Sequence, residues 1–322
     1  MNSLEVRKKT ITNIHESEFK FVIVSSGGGS NAIGSLLKVP GASNSILEAY
    51  IPYAKESLDF YLMKKPESYC SLDTTTRMAA RAYSAAKKID QKTNIEQLFG
   101  VAISATLSTN YEKKGSHRFH IAVQTRDFSQ SISCILNKGQ RTREEEEELV
   151  TEFVIALISD CCGFEFKYPK IKEDVEHIQI PAQKGWADLM SEKIKFVTSS
   201  NQQPKLIFPG AFNPMHDGHI AMSELANKEM SEEVFFEICI QNVDKPPLSY
   251  HQIKKTIDQF TDSKNWVLTK AGKFSDKAKL FPNSTFIIGA DTLVRIFDER
   301  FYASRRETVS YTHLRAHETF RY

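Results

Sequence analysis

The chain has 322 residues, which at roughly 100 to 200 residues per domain leaves room for two globular domains, each able to bury its own core. Neither a disordered chain nor a small stapled one is expected at that length, and 41% hydrophobic with 25% charged residues is the composition of an ordinary soluble protein. With 42 Lys plus Arg against 40 Asp plus Glu the formal net charge is +2, so nothing in the balance asks for bulk nucleic acid or an anionic membrane as partner.

In chain order the first predicted strand is Phe19 to Val24, an apolar run that stops at Ser25-Ser26-Gly27-Gly28-Gly29-Ser30. Asn31 to Lys38 carries apolar residues at helical spacing and ends at Pro40-Gly41, so the opening reads strand, glycine turn, helix. Thr74 to Lys88 reads as a helix, and Phe99 to Ser104 and His117 to Val123 as strands. Arg141 to Asp160 is predicted as a helix whose five consecutive glutamates form an acidic first turn facing water and the positive end of its dipole. Residues 167–203 are polar, with prolines among charges and one apolar pattern around Trp186 to Phe196, and read as a linker carrying a short docking helix. A second α/β rhythm follows: strand Leu206 to Phe208, helix Gly218 to Met230, strand Val234 to Ile240, helix Tyr250 to Phe260 and strand Thr285 to Ile288. Alternating strand and helix predicts a parallel, doubly wound sheet.

The five cysteines, Cys70, Cys134, Cys161, Cys162 and Cys239, show no CxxC spacing and read as reduced thiols. No apolar run approaches the roughly 20 residues of a membrane helix, and MNSLEVRKKT lacks the apolar stretch of a secretory signal, so a cytoplasmic location is expected.

The most informative stretch is Gly210-Ala211-Phe212-Asn213-Pro214-Met215-His216-Asp217-Gly218-His219, between a predicted strand and a predicted helix. Gly210 lets the backbone turn near a ligand, Pro214 stiffens the turn, and His216 and His219 come to a helix N-terminus whose free amides attract phosphate. Two imidazoles there can neutralise charge on a triphosphate as pyrophosphate departs. The string resembles the GxFxPxHxGH signature of the nucleotidylyltransferase superfamily, which implies a Rossmann-like sheet and transfer of a nucleotide to a phosphorylated acceptor. Phe286 to Thr292, containing Gly289-Ala290-Asp291, is similar to the strand-then-GAD segment of nicotinate and nicotinamide mononucleotide adenylyltransferases. That resemblance implies ATP with Mg²⁺ as the donor, a mononucleotide acceptor, and Gly289 and Asp291 beside the nucleotides; Asp291 also suits a helix N-cap. Lys245, at the end of the intervening strand, is a candidate phosphate contact, with a solvated loop lysine as the alternative. The same histidine motif serves phosphopantetheine or phosphorylated-alcohol acceptors, with CTP as donor among the alternatives, and a nucleotide-binding sensor without turnover is a further one.

Near the other end, Ser26-Gly27-Gly28-Gly29, Leu36 to Ser43 and Tyr53 together resemble the CinA C-terminal family of nicotinamide-nucleotide amidases, over about residues 5–165. The resemblance implies Ser26 as nucleophile and a helper lysine beyond Tyr53. Leu58 stands at the lysine's place, Ser25 replaces an acidic residue, and Ala105 to Asn110 has too few glycines for a phosphate nest. A serine without its base is a poor nucleophile, so a degenerate domain is expected.

The expected organisation is therefore α/β throughout, in two domains: a CinA-like domain (1–166), a linker (167–203) and a truncated Rossmann-like nucleotidylyltransferase domain (204–306). Residues 307–322 read as a non-native tail, because SYTHLRAHET resembles a translated sequencing adaptor. Val309 to Arg315 fits the family's ISxTxxR segment only loosely and arrives too soon after the GAD turn. His313 and His317 lack further ligands, so no metal site is expected there. Expected partners are ATP and a phosphorylated acceptor, with neither nucleic acid nor membrane, and a homo-oligomer as an open option.

Overall fold

The computed structural model describes residues 3–111, 113–165, 167–183, 185–241, 247–260, 264–290 and 292–293. The chain divides into two compact units, residues 1–193 with 244–255, and residues 194–243 with 256–322.

The first unit runs α1 (Ser3–Glu16), β1 (Lys20–Gly27), α2 (Asn31–Lys38), β2 (Ile46–Tyr50), α3 (Lys55–Leu62), α4 (Leu72–Ile89), β3 (Leu98–Thr106), β4 (His117–Gln124), β5 (Phe128–Leu136), α5 (Arg143–Cys161), β6 (Val175–Pro181) and α6 (Trp186–Met190). Its six strands lie in the order β2-β1-β3-β4-β5-β6. β2, β1 and β3 are parallel, and β4 to β6 continue antiparallel, so the sheet is mixed. Strand alternation sorts the core. Phe21 and Ile23 join Ile14, Leu36, Phe153 and Leu157 on the face covered by α1, α2 and α5. Val22 and Val24 join Leu58, Met78, Ala79 and Tyr83 on the face covered by α3 and α4. At Gly100 an added Cβ would stand 2.1 Å from the Tyr83 nitrogen, so only glycine lets α4 lie this close to β3.

Residues 167–203, expected as a linker, contain β6, α6 and β7 (Phe196–Thr198). β6 extends the first sheet from Cys134↔Val175 to Phe128↔Pro181. Glu176, His177 and Gln179 interrupt its half-exposed apolar residues and hide it from an apolar pattern; an edge strand is held by backbone pairing. The glutamate run also departs from its expected solvent-facing role. Glu145 closes a capping box with Thr142, but Glu146 is fully buried and Glu147 turns inward.

The second unit contains β7, β8 (Leu206–Pro209), α7 (Asp217–Met230), β9 (Val234–Cys239), β10 (Asn265–Thr269), α9 (Phe274–Leu280) and β11 (Thr285–Phe286). α8 (Tyr250–Ile257) lies between β9 and β10 in sequence, and its residues through Lys255 group with the first unit. There Tyr250 stacks on Trp186 with centroids 5.7 Å apart, and its N–H donates to Ser129 Oγ at 3.0 Å. The second sheet has the order β11-β8-β9-β10-β7, parallel except for β7. Ile207, Phe235, Val267 and Phe281 fill one face. Because β9 and β11 flank β8 on opposite sides, the order reverses at β8, where open α/β sheets hold ligands beyond the carboxyl ends of the strands.

Candidate functional site

The turn from Gly210 to His216 leaves the carboxyl end of β8 at that reversal, and the Gly289 turn follows neighbouring β11, just past whose end the Ile287 N–H donates to Ile207 O at 2.8 Å. The amide of Gly210 donates to Glu237 O at 3.0 Å, and a Cβ there would meet the Phe212 ring at 2.5 Å. Phe212 is 1% exposed and has a positive φ of 43°. Its ring meets Phe208, Phe236 and Phe260 at 5.5, 5.3 and 5.9 Å, forming an apolar foot for the turn. Phe212 therefore shapes the turn from beneath, while Ala211 and Asn213 are exposed above it.

His216 occupies the N-cap of α7 and His219 its third position. Their rings stack with centroids 3.7 Å apart and planes at 26°. His219 also packs edge-on against Phe212 at 5.1 Å, so the buried foot sets the ring's position. The His216 backbone N–H donates to His219 Nδ1 at 3.3 Å. With Nδ1 accepting, the neutral ring carries its proton on Nε2 as a donor. Burial first, then the neighbouring His216 ring, holds the His219 imidazole below its ordinary value. Gly218 is exposed between them, and an added Cβ would stand 3.2 Å from His216 ring atoms. The α7 N-terminus thus presents two imidazoles and free amides together, an arrangement suited to an anion.

Two supports carried no signal in the sequence. Gln259 donates from Nε2 to Phe212 O at 2.8 Å and accepts the Met215 N–H on Oε1 at 2.8 Å, so one amide holds both ends of the turn. Beneath β9, Glu237 and Lys277 form an ion pair, 1% and 5% exposed, with Nζ at 2.7 and 2.6 Å from the two carboxylate oxygens. Thr269 Oγ1 donates to the same carboxylate. Of the other predicted contacts, Gly289 closes the Gly289 turn by accepting from Thr292 and Leu293 N–H at 3.0 Å, while Lys245 and Asp291 lie outside the described residues, as do His313 and His317.

In the first unit Ser26 is 9% exposed and its hydroxyl donates to Pro52 O at 3.0 Å. Tyr53 is 69% exposed, whereas Leu58, at the expected lysine's place, is buried in the core beside Val22 and Tyr61. The glycine turn is occupied from within: Glu147 accepts the Gly29 N–H at 2.7 Å and the Ser30 hydroxyl at 3.2 Å. Glu146 accepts the Ser108 N–H at 2.6 Å and faces His117 Nδ1 at 2.7 Å. Among the described residues no group of three or more His, Cys, Asp or Glu could hold a metal ion, and no helix is long and apolar enough to cross a membrane.

Residues 207–318 match the Cytidylyltransferase-like family, a match that contains the histidine turn, the GAD segment and part of the tail expected to be non-native. No curated protein matches the chain significantly. Solved structures similar to it include the competence/damage inducible protein CihA from Agrobacterium tumefaciens, at 16% identity and TM-score 0.36, covering 50% of this chain and 91% of that one. A competence or damage-inducible protein from Enterobacter asburiae is 14% identical with TM-score 0.41, covering 50% and 99%. A CinA superfamily protein from Klebsiella pneumoniae 700603 is 12% identical with TM-score 0.40, covering 51% and 99%.

Proposed function

We propose that the second unit is a nucleotidyltransferase that moves an adenylyl group from ATP to nicotinamide or nicotinate mononucleotide and releases pyrophosphate. The observation that carries this reading is the stacked pair His216 and His219 at the α7 N-terminus, above a buried aromatic foot at the sheet's reversal point. The Cytidylyltransferase-like match over the same residues supports nucleotidyl transfer in general; the GAD segment of the sequence supports the mononucleotide.

In the proposed reaction an oxygen of the acceptor phosphate attacks the α-phosphorus of ATP. A new P–O bond forms as the bond from the α-phosphorus to the bridging oxygen breaks, and the electron pair leaves with pyrophosphate. His219 donates from Nε2 to a phosphate oxygen, and His216 and the α7 amides add donors where negative charge accumulates. No covalent intermediate on the protein is needed. Mg²⁺ arrives with ATP as part of the substrate and neutralises phosphate charge. Lys245 and Asp291 are assigned to phosphate and nucleotide contact on sequence grounds.

The description of the matching family favours a second reading, cytidylyl transfer from CTP to a phosphorylated alcohol. Pyrophosphate release measured with ATP and with CTP, against mononucleotide, phosphopantetheine and phosphorylated-alcohol acceptors, separates the readings. Release with mononucleotide plus ATP, falling about 100-fold or more in His216→Ala and His219→Ala, is the expected result. No release from any pairing overturns nucleotidyl transfer; release with CTP alone replaces the first reading by the second.

For the first unit we infer a degenerate amidase-like domain. Leu58 at the lysine's place, and the carboxylate of Glu147 on the glycine-turn amides, both support a role without hydrolysis. The expected result is no ammonia release from nicotinamide mononucleotide, and turnover lost on Ser26→Ala would overturn it.

A further inference from the structure

A helix that connects two parallel strands ordinarily packs along its length on its own sheet. α8, in the crossover from β9 to β10, does not: its residues through Lys255 group with the first unit, and Thr256 onward with the second. Each half makes its own set of bonds.

In the first half Tyr250 is 0% exposed. Its ring stacks on Trp186, its N–H donates to Ser129 Oγ at 3.0 Å, and its hydroxyl donates to Arg126 O. Ser129 in turn donates to Gln124 Oε1, so the seat for this side chain is built from the end of β4, the start of β5 and α6. The buried amide of Gln252 reaches α4, where Nε2 donates to Thr76 Oγ1 at 2.7 Å and to Asp73 O at 3.2 Å. Its Oε1 accepts the Ser249 N–H at 2.8 Å and closes the start of the helix.

In the second half the Gln259 N–H and Nε2 both donate to Thr256 O at 3.3 Å, and the Phe260 N–H to Ile257 O at 2.9 Å. The chain beyond α8 is therefore bonded to the helix's own last turn. That places Gln259 on the histidine turn, at Phe212 O and the Met215 N–H, and Phe260 in the aromatic foot beside Phe212 and Phe236. One eight-residue helix thus has its start fixed by Tyr250 and Gln252 and its end committed to the turn that carries His216 and His219. A helix is a stiff element, so displacement of its start is passed to its end.

We propose that Tyr250 and Gln252 are positioning residues for the histidine turn: seated in the first unit, they hold α8 where Gln259 can clamp Phe212 O and the Met215 N–H. The first unit then has a role that needs no hydrolysis, as the anchor of a helix that orders the other unit's site. With the seat lost, the helix start is free, the clamp loosens and the two imidazoles sample other positions. The consequence for turnover rests on the nucleotidyl transfer proposed above; the mechanical link does not.

The test uses the full chain. Amide hydrogen exchange at Met215 and the ring resonances of His219 report the turn without any reaction. Tyr250→Ala and Gln252→Ala are each expected to speed Met215 exchange about tenfold or more, the fold-change that one hydrogen bond's stabilisation gives, and to shift the His219 resonances. Tyr250→Phe keeps the stack on Trp186 and should restore most of the protection lost in Tyr250→Ala. Ile14→Ala, in the core on the sheet face away from α4, is the control. It destabilises the first unit and should leave Met215 exchange unchanged. Should Tyr250→Ala fail to fold by circular dichroism, Gln252→Ala decides. Unchanged exchange and unchanged His219 resonances in the folded variants, or an equal rise in Ile14→Ala, would each overturn the proposal. For turnover, the expected result is a lower kcat of pyrophosphate release with KM little altered. Faster Met215 exchange in a chain that releases no pyrophosphate supports this inference and removes the reading of the reaction instead.

Discussion

The carboxylate of Glu147 accepts the backbone N–H of Gly29 across 118 residues of sequence, at 2.7 Å. The same side chain takes the Ser30 hydroxyl, while its neighbour Glu148 binds Arg7 and Asn31. The start of α5 is therefore fastened to the turn between β1 and α2, so that a tethered carboxylate sits where a helix N-terminus would otherwise attract a free anion.

Removing that tether should loosen the turn. Glu147→Ala leaves the Gly29 amide and the Ser30 hydroxyl without this acceptor, and about 1 to 3 kcal/mol of stability should be lost. Glu147→Gln keeps an acceptor oxygen and should lose less. Urea titration of the two variants checks the ranking, and amide hydrogen exchange at Gly29 should rise in the alanine variant first.

Gln259 holds the histidine turn by its backbone, at Phe212 O and the Met215 N–H. Gln259→Ala frees Phe212 O and the Met215 N–H. The turn then samples other positions, and pyrophosphate release should fall about tenfold or more, as loss of orientation predicts. Global stability should change by less than in a variant of the buried aromatic foot. An unchanged rate would show that Phe212 alone fixes the turn.

The Glu237 and Lys277 pair makes a sharper prediction about stability. Either partner alone leaves a charge stranded in the interior, so Glu237→Gln or Lys277→Met should destabilise the second unit by about 3 to 5 kcal/mol. The double variant Glu237→Leu/Lys277→Met should recover much of that loss, because two apolar side chains need no mutual neutralisation. A double variant as unstable as the sum of the singles would mean that the pair contributes through Thr269 and its surroundings instead.

Acid should weaken the fold in two steps. Burial lowers His120 and His251 to about 4, against an ordinary value of 6.5. Between those values the unfolded chain binds protons that the folded chain does not, so stability rises with pH through this window and falls as pH drops through it. Glu173, held at about 2 chiefly by its hydrogen bonds from Arg141, acts lower. Its contribution is complete above 4.5 and is lost as pH falls toward 2. Chemical denaturation from pH 7 to pH 3 should show the first slope, and His251→Gln should flatten it above pH 4.

What the sequence alone determined was what lies within a few residues of chain. The continuous apolar runs of β1 and β9, the helical spacing of α2 and α7, and the glycine, proline and histidine order of the turn after β8 are local patterns, and local backbone preference reads them directly. β2 and β6 escaped because edge strands with half-exposed side chains owe their existence to backbone pairing with a neighbour. α1 escaped because its apolar face is narrow, with Ile11 and Ile14 buried in a mostly polar helix. Tertiary structure alone decided which charges face which partners. Five glutamates in a row look alike in sequence, yet packing turns Glu146 into the interior, Glu147 to the glycine turn and Glu148 to Arg7, and it brings Lys277 to Glu237 and Gln259 to Phe212. The reason is physical: an ion pair or a polar clamp depends on distance in space and on desolvation, which exist only once the sheet has brought distant segments together.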